Sequence, residues 1–157
     1  MGGNSVSKTV LLAIDDSIYS KYAFQWYLKN SPEVKTDQII LLHSMTPPGD
    51  VEISEDGNLK VDLLVMENDM KKIQKEMESL KSVFMDQCKN RKLSCQWVSK
   101  WGKPAQNIVH AVDQFNADLV VIGSRGLNLI DRAILGSVST YVLHHVNIPK
   151  IIVHAPA

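Results

Sequence analysis

Three glycines and the residues beside them have the types and spacing to grip an anion. Gly123-x2-Gly126-x9-Gly136-Ser137 follows the β-branched run Val120-Val121-Ile122 and leads into an apolar-periodic segment that reads as a helix. Glycine lets backbone N–H groups approach a phosphate without a side chain in the way. Gly136 and Ser137 fall where that helix should begin, and a helix start supplies unpaired donors and partial positive charge. Two nests of amides could therefore converge on one phosphate chain. Glycine pairs also mark ordinary turns, so the cradle depends on its context. Arg125, between the first two glycines, can pair with phosphate or simply point to solvent.

Asp15 follows the first apolar run and invites two readings. A carboxylate beside a phosphate chain repels it unless it accepts ribose hydroxyl protons or holds a cation such as Mg²⁺. Otherwise it caps the following helix, a task Asp16 or Ser17 could take instead. His43 lies at a strand end but has no base partner or metal set in sequence, and His144 and His145 suit a helix C-terminus. No Ser/His/Asp arrangement, paired-carboxylate motif or zinc spacing emerges, so an efficient hydrolase is hard to build from these residues. The first strand-to-helix turn, Ala13 to Ser17, lacks the glycines of a dinucleotide fingerprint, and there is no Gly-Lys-Ser/Thr of a P-loop.

The elements that must position these residues alternate along the chain. Thr9 to Ile14 is apolar enough for a strand buried on both faces, and a helix continues to about Asn30, where Ser31-Pro32 stops it. Gln38 to His43 reads as the second strand, followed by an acidic loop to about Lys60. Val61 to about Asn90 reads as one long helix carrying Met66, Met70, Ile73, Met77, Leu80 and Phe84 at steps of four and three. A coiled-coil partner would use that seam, but a helix crossing a sheet needs the same stripe. A helix of about thirty residues spans roughly 45 Å against about 20 Å for a strand. Its first two turns should overhang the sheet or break near Asn68-Asp69. Leu93 to Val98 is the third strand, Gly102-Lys103-Pro104 opens the next helix, Leu119 to Ile122 is the fourth strand and Lys150 to His154 the fifth. Such βα alternation implies a doubly wound parallel sheet with its ligand site at the carboxyl ends of the strands.

The 157 residues make one domain, 1–157, with 1–8 as a mobile lead. Formal net charge is zero, which disfavours nucleic acid and anionic membrane as partners. Cys88 and Cys95 match no redox or metal spacing, and a reduced, intracellular chain is the simplest account. Secretion is disfavoured because the N-terminus lacks a charged-then-apolar signal. Val6 at the sixth position also argues against myristoylation at Gly2.

Taken together, Gly123-x2-Gly126-x9-Gly136-Ser137, Asp15 after the first strand and Gly102-x-Pro104 before the third helix resemble the universal stress protein family, in its ATP-binding branch. The similarity runs from Val10 to Val153. It implies an α/β, Rossmann-like adenine-nucleotide-binding fold: five parallel strands in the order 3-2-1-4-5, with helices on both faces. It also implies that Gly123, Gly126, Gly136, Ser137 and Val138 offer amides to the phosphates, with the Ser137 and Ser139 hydroxyls adding contacts. Asp15 would take the ribose or its metal-linked surroundings, Ala13 would line that pocket, and Ser44 would meet adenine through its backbone. The ligand would be ATP, or AMP or ADP, with Mg²⁺ or Mn²⁺. A homodimer through Ile148 to His154 is expected, since an apolar edge strand invites pairing.

Three functions follow as expectations. The leading one is a cytoplasmic ATP-binding stress-response module with at most slow hydrolysis. The second is a nucleotide-hydrolysing or adenylyl-transferring enzyme of the same fold. The third is a dimeric, chaperone-like scaffold that does not use nucleotide.

Overall fold

The β-branched and leucine-rich runs need cover on both faces, and the chain provides it by alternating strand and helix. The computed structural model describes residues 7–48, 52–53, 59–60, 63–124 and 135–156. In chain order its elements are β1 (Thr9–Ile14), α1 (Ile18–Asn30), β2 (Gln38–Met45), β3 (Glu52–Ile53), β4 (Leu59–Lys60), α2 (Leu63–Asn90), β5 (Ser94–Trp101), α3 (Pro104–Phe115), β6 (Leu119–Ser124), α4 (Ser137–His145) and β7 (Lys150–His154). The main sheet has five strands in the order β5-β2-β1-β6-β7, all parallel. Counting only its own strands, this is the expected 3-2-1-4-5.

β1 is central, and its Val10, Leu11 and Leu12 are wholly buried. Alternate side chains feed two cores. On one face Val10, Leu12, Ile39 and Leu41 pack with Phe24, Tyr27, Leu80 and Phe84 from α1 and α2. On the other, Leu11, Ile40, Leu42 and Val120 pack with Ile108, Ala111, Val112 and Val142 from α3 and α4. Each face carries a full helical layer, which is why the strands read as near-continuous apolar runs.

α2 is unbroken at Asn68-Asp69, and the expected start at Val61 lies outside the described residues. Its buried residues are Leu80, Phe84 and Cys88, while Leu64, Val65 and Met66 are exposed. The N-terminal half therefore overhangs the sheet, as the length mismatch requires. β2 extends to Met45 and β5 to Trp101, past the expected ends at His43 and Val98, because the two strands pair along their whole length from Gln38↔Ser94 to Met45↔Trp101. Part of the expected acidic loop is an antiparallel hairpin, with Glu52↔Lys60 and Ile53↔Leu59 in register.

The cysteines depart from the expectation of free thiols. Cys88 in the last turns of α2 and Cys95 in β5 form a disulfide, with Cα atoms 6.2 Å apart. The cause is the tight reversal between the two elements. Lys92 takes left-handed geometry at φ 55, and the Leu93 amide donates to the Cys88 carbonyl at 2.9 Å, turning the chain back within a few residues. No helix among the described residues is long and apolar enough to cross a membrane.

Candidate functional site

The two central strands separate at their carboxyl ends. β1 pairs with β6 at Val10↔Leu119, Leu11↔Val120 and Leu12↔Val121, and the register stops there, although β1 continues to Ile14 and β6 to Ser124. On either side the sheet stays paired: Ile14 opposes His43 of β2, and Ser124 opposes His154 of β7. Because successive connections leave this point in opposite directions, it is the topological switch at which such sheets bind ligands.

Gly123 sits on one wall of the split. A Cβ built there would collide with the Tyr19 carbonyl and approach the Ser20 nitrogen to 3.0 Å. The missing side chain thus lets the first turn of α1 press against β6, a packing role that the sequence reading did not foresee. It leaves the expected amide contact of Gly123 with a ligand as an additional role.

Asp15 forms the opposite rim. Its Oδ1 accepts the Ser17 amide at 2.9 Å and also the Ser17 hydroxyl, closing a turn over the strand end. Ser17, not Asp15, is the N-cap of α1, with its side chain accepting from the Ser20 amide at 3.2 Å. Buried Ser20 completes the anchor by donating its hydroxyl to the Asp15 carbonyl at 2.7 Å and receiving the Asp15 amide at 3.1 Å. One carboxylate oxygen thus fixes the loop, and Asp15 itself is exposed at the mouth of the split. Ala13, one residue inside Ile14, packs against the core shared with α3 and α4. Sequence reading missed Ser20; a serine three residues after the cap candidate Ser17 is the signal that could have found it.

Ser44 extends past the end of β1 and pairs only outward, with Lys100 of β5. Its hydroxyl accepts from Asn107 Nδ2 at 3.0 Å, so the side chain is engaged by α3. Asn107 is buried and also donates to the Lys100 carbonyl at 3.5 Å. It is a second positioning residue that was not foreseen; a polar residue next to Ile108 on the apolar stripe of α3 is its signature.

The N-terminus of α4 is open. Gly136 is the N-cap, with no side-chain cap bond, and the first helical bond runs from the Thr140 amide to the Gly136 carbonyl at 2.9 Å. The amides of Ser137, Val138 and Ser139 therefore precede the intrahelical ladder and point along the helix axis as donors. Ser137 is exposed, Val138 half-buried and Ser139 buried. Gly136 has an ordinary φ of −60, so its backbone does not require glycine, and a Cβ there would meet no described atom within 4 Å. Arg125 and Gly126 lie outside the described residues.

Among the described residues the two histidines nearest these elements are held by backbone carbonyls. His43 Nδ1 bonds the Ile14 carbonyl at 2.9 Å, and the ring lies 5.7 Å from that of Trp97. His145 Nδ1 bonds the Tyr141 carbonyl at 2.8 Å, inside α4. Among the described residues no group of three or more His, Cys, Asp or Glu could hold a metal ion.

A doubly wound parallel sheet that splits at its switch point defines a Rossmann-like α/β domain. The model of the universal stress protein family matches residues 7–154, and the chain belongs to that family. A universal stress protein of Synechocystis is 44% identical over 61 residues, a match spanning 39% of this chain and 40% of that protein. A universal stress protein A-like protein of Arabidopsis thaliana is 29% identical over 140 residues, 85% of this chain and 77% of that one. The crystal structure of an Arabidopsis thaliana family member with AMP bound superposes with a TM-score of 0.70 at 23% identity, over 96% of this chain and 93% of the other.

Proposed function

We propose that this chain binds an adenine nucleotide, ATP in the first instance, in the split between β1 and β6, and acts in the cytoplasm as a stress-response module whose state depends on that occupancy. The observation that carries the reading is Gly136, a helix N-cap with no side-chain cap and no described atom within 4 Å of where its Cβ would point. Gly123, Gly126, Gly136, Ser137 and Val138 would offer main-chain amides to the phosphates, with the Ser137 and Ser139 hydroxyls and Arg125 beside them. Asp15 would meet the ribose or a nucleotide-bound Mg²⁺ or Mn²⁺, Ala13 would line the sugar pocket, and the Ser44 backbone would face the base. The AMP-bound Arabidopsis family member supports an adenine nucleotide as the ligand class. Hydrolysis, if present, is slow in this reading, because the groups near the split position a ligand rather than activate a water.

The test is to heat-denature the purified protein, identify released nucleotide by chromatography, and follow phosphate release with Mg²⁺ or Mn²⁺ at one protein equivalent. Stoichiometric adenine nucleotide with negligible turnover supports the reading. Rapid multiple turnovers would mean an enzyme, and a protein that neither carries nor takes up nucleotide would mean a scaffold.

The same reading includes a homodimer through Ile148 to His154. β7 is the last strand in the sheet order, and its Ile151 and Ile152 are only half-buried. Light scattering of the wild type and of Ile152→Lys would test it, with a dimer that dissociates in the variant as the supporting outcome.

A further inference from the structure

Three buried side chains at four-residue steps, Leu80, Phe84 and Cys88, seat α2 on the sheet. The last of them is also a covalent tie, because Cys88 is bonded to Cys95 in the edge strand β5. An exposed hydrogen bond beside the stripe, Gln25 Nε2 to Gln87 Oε1, trades with water and holds little. The sulfur bond is therefore a large part of what fixes the lie of α2.

That lie matters at the ligand end of the sheet. α2 contributes Lys72, Glu76 and Leu80 to a cleft of about 780 Å³ that is also lined by His43 and Ser44 at the carboxyl end of β2. Ser44 is the residue placed above beside the base, so α2 is a wall of the same site. Lys72 lies about sixteen residues from Cys88, or about 24 Å along the helix, and a small tilt at the tie moves the wall by more. A row of rings joins the two places directly: Trp97, two residues beyond Cys95, lies 6.3 Å from the ring of Phe84 and 5.7 Å from that of His43.

We propose that Cys88–Cys95 is a reversible thiol–disulfide switch, which seats α2 when oxidised and tightens the nucleotide site at Ser44, and loosens both when reduced. The affinity change rests on the nucleotide reading; the seating of α2 does not. Cys95 is half-buried and Cys88 buried, so a small thiolate attacks Cys95 Sγ. Cys88 leaves as a thiolate and takes up a proton, and a second thiol resolves the mixed disulfide. Two small thiols thereby become one disulfide, and their two electrons reduce the protein pair. The reversal between α2 and β5 survives this step, since the Leu93 amide to the Cys88 carbonyl at 2.9 Å and the Lys92 amide to the Lys89 carbonyl at 3.0 Å involve no sulfur. The two thiols stay within reach, and a small disulfide closes the bond again. Disulfides in the cytoplasm, where this chain is proposed to act, are typically transient and redox-sensing rather than structural.

The test compares the full chain reduced with dithiothreitol and oxidised with glutathione disulfide, at a temperature where both forms are folded. Calorimetric titration with Mg²⁺-ATP should show at least threefold tighter binding by the oxidised form, and reoxidation should restore it after reduction. Cys95→Ser should keep the weaker affinity with or without reductant. Hydrogen exchange of the α2 amides from Ile73 to Phe84 should be at least threefold slower in the oxidised form. Equal affinity in the two forms would overturn the proposal, as would a disulfide that opens only in denaturant. If neither form binds ATP, the nucleotide reading fails by itself, and exchange then decides the switch: slower exchange on oxidation supports it and equal rates overturn it.

Discussion

Gly123 lies directly against the Tyr19 backbone, so close that no side chain fits between β6 and the first turn of α1. Gly136, the other described glycine of the motif, has no described atom within 4 Å of where its Cβ would stand. The motif therefore mixes two physical jobs, and substitution separates them. Gly123→Ala should destabilise the fold by about 1–3 kcal/mol or more, since overpacking against backbone cannot be relieved by a rotamer change. A shift of the denaturant midpoint at unchanged slope checks it.

Gly136→Ala should behave in the opposite way. Its φ of −60 suits any residue, so stability should hold or rise slightly. The added methyl enters the space where a phosphate would meet the α4 amides, and nucleotide affinity should fall at least tenfold, which is about 1.4 kcal/mol. Gly136→Val should abolish binding with the fold retained. Calorimetric titration beside a thermal melt reads both effects.

Ser17 caps α1, and in the proposed reading Asp15 is left to meet the ligand. Ser17→Ala removes the N-cap and one donor to Asp15 Oδ1, and should cost about 1 kcal/mol of stability. Asp15→Asn keeps an acceptor for the Ser17 amide and should leave the melt nearly unchanged. It should weaken Mg²⁺-nucleotide more than metal-free nucleotide, a difference that competition with EDTA exposes.

The disulfide Cys88–Cys95 closes a short loop between α2 and the edge strand β5. On the loop-entropy model, closing a loop of this size contributes about 2–3 kcal/mol. Incubation with a thiol reductant should lower the free energy of unfolding by that amount, and Cys95→Ser should match the reduced protein. Alkylating free thiols at lysis, then reducing and titrating the denatured chain, reports which form the cell holds, with two new thiols marking the disulfide.

Tyr27 donates its hydroxyl to buried Asp37, and burial together with that bond raises its pKa above the ordinary phenol value. Below pH 10 the phenol is neutral in both folded and unfolded chains, so the stabilisation is fully present. Above pH 10 the unfolded chain loses its proton first, and stability is lost as pH rises through the folded value. Tyr27→Phe should cost about 1–3 kcal/mol at neutral pH by leaving Asp37 short of a partner. The gap between the two proteins should narrow above pH 10 in denaturation curves.

The sheet was legible because its signal is redundant: runs such as Val10-Leu11-Leu12 and Ile39-Ile40-Leu41-Leu42 admit little but strands buried on both faces. The start of α4 was legible because Gly136-Ser137 immediately precedes an apolar-periodic segment. What stayed hidden depends on contacts between distant residues. The fit of Gly123 against Tyr19, the hold of Asn107 on Ser44 and the Cys88–Cys95 bond exist only once α1, α3 and β5 have docked. The ends of β2 and β5 were likewise set by mutual pairing beyond His43 and Val98, not by local composition.

The central claim is that main-chain amides at the start of α4 hold the phosphates of an adenine nucleotide. The most direct measurement is a crystal structure grown with excess Mg²⁺-ATP. The account predicts phosphate oxygens within hydrogen-bond distance of the Ser137 and Val138 amides, with the base beside Ser44. Nucleotide bound elsewhere, or protein atoms filling the space before Gly136, would contradict it.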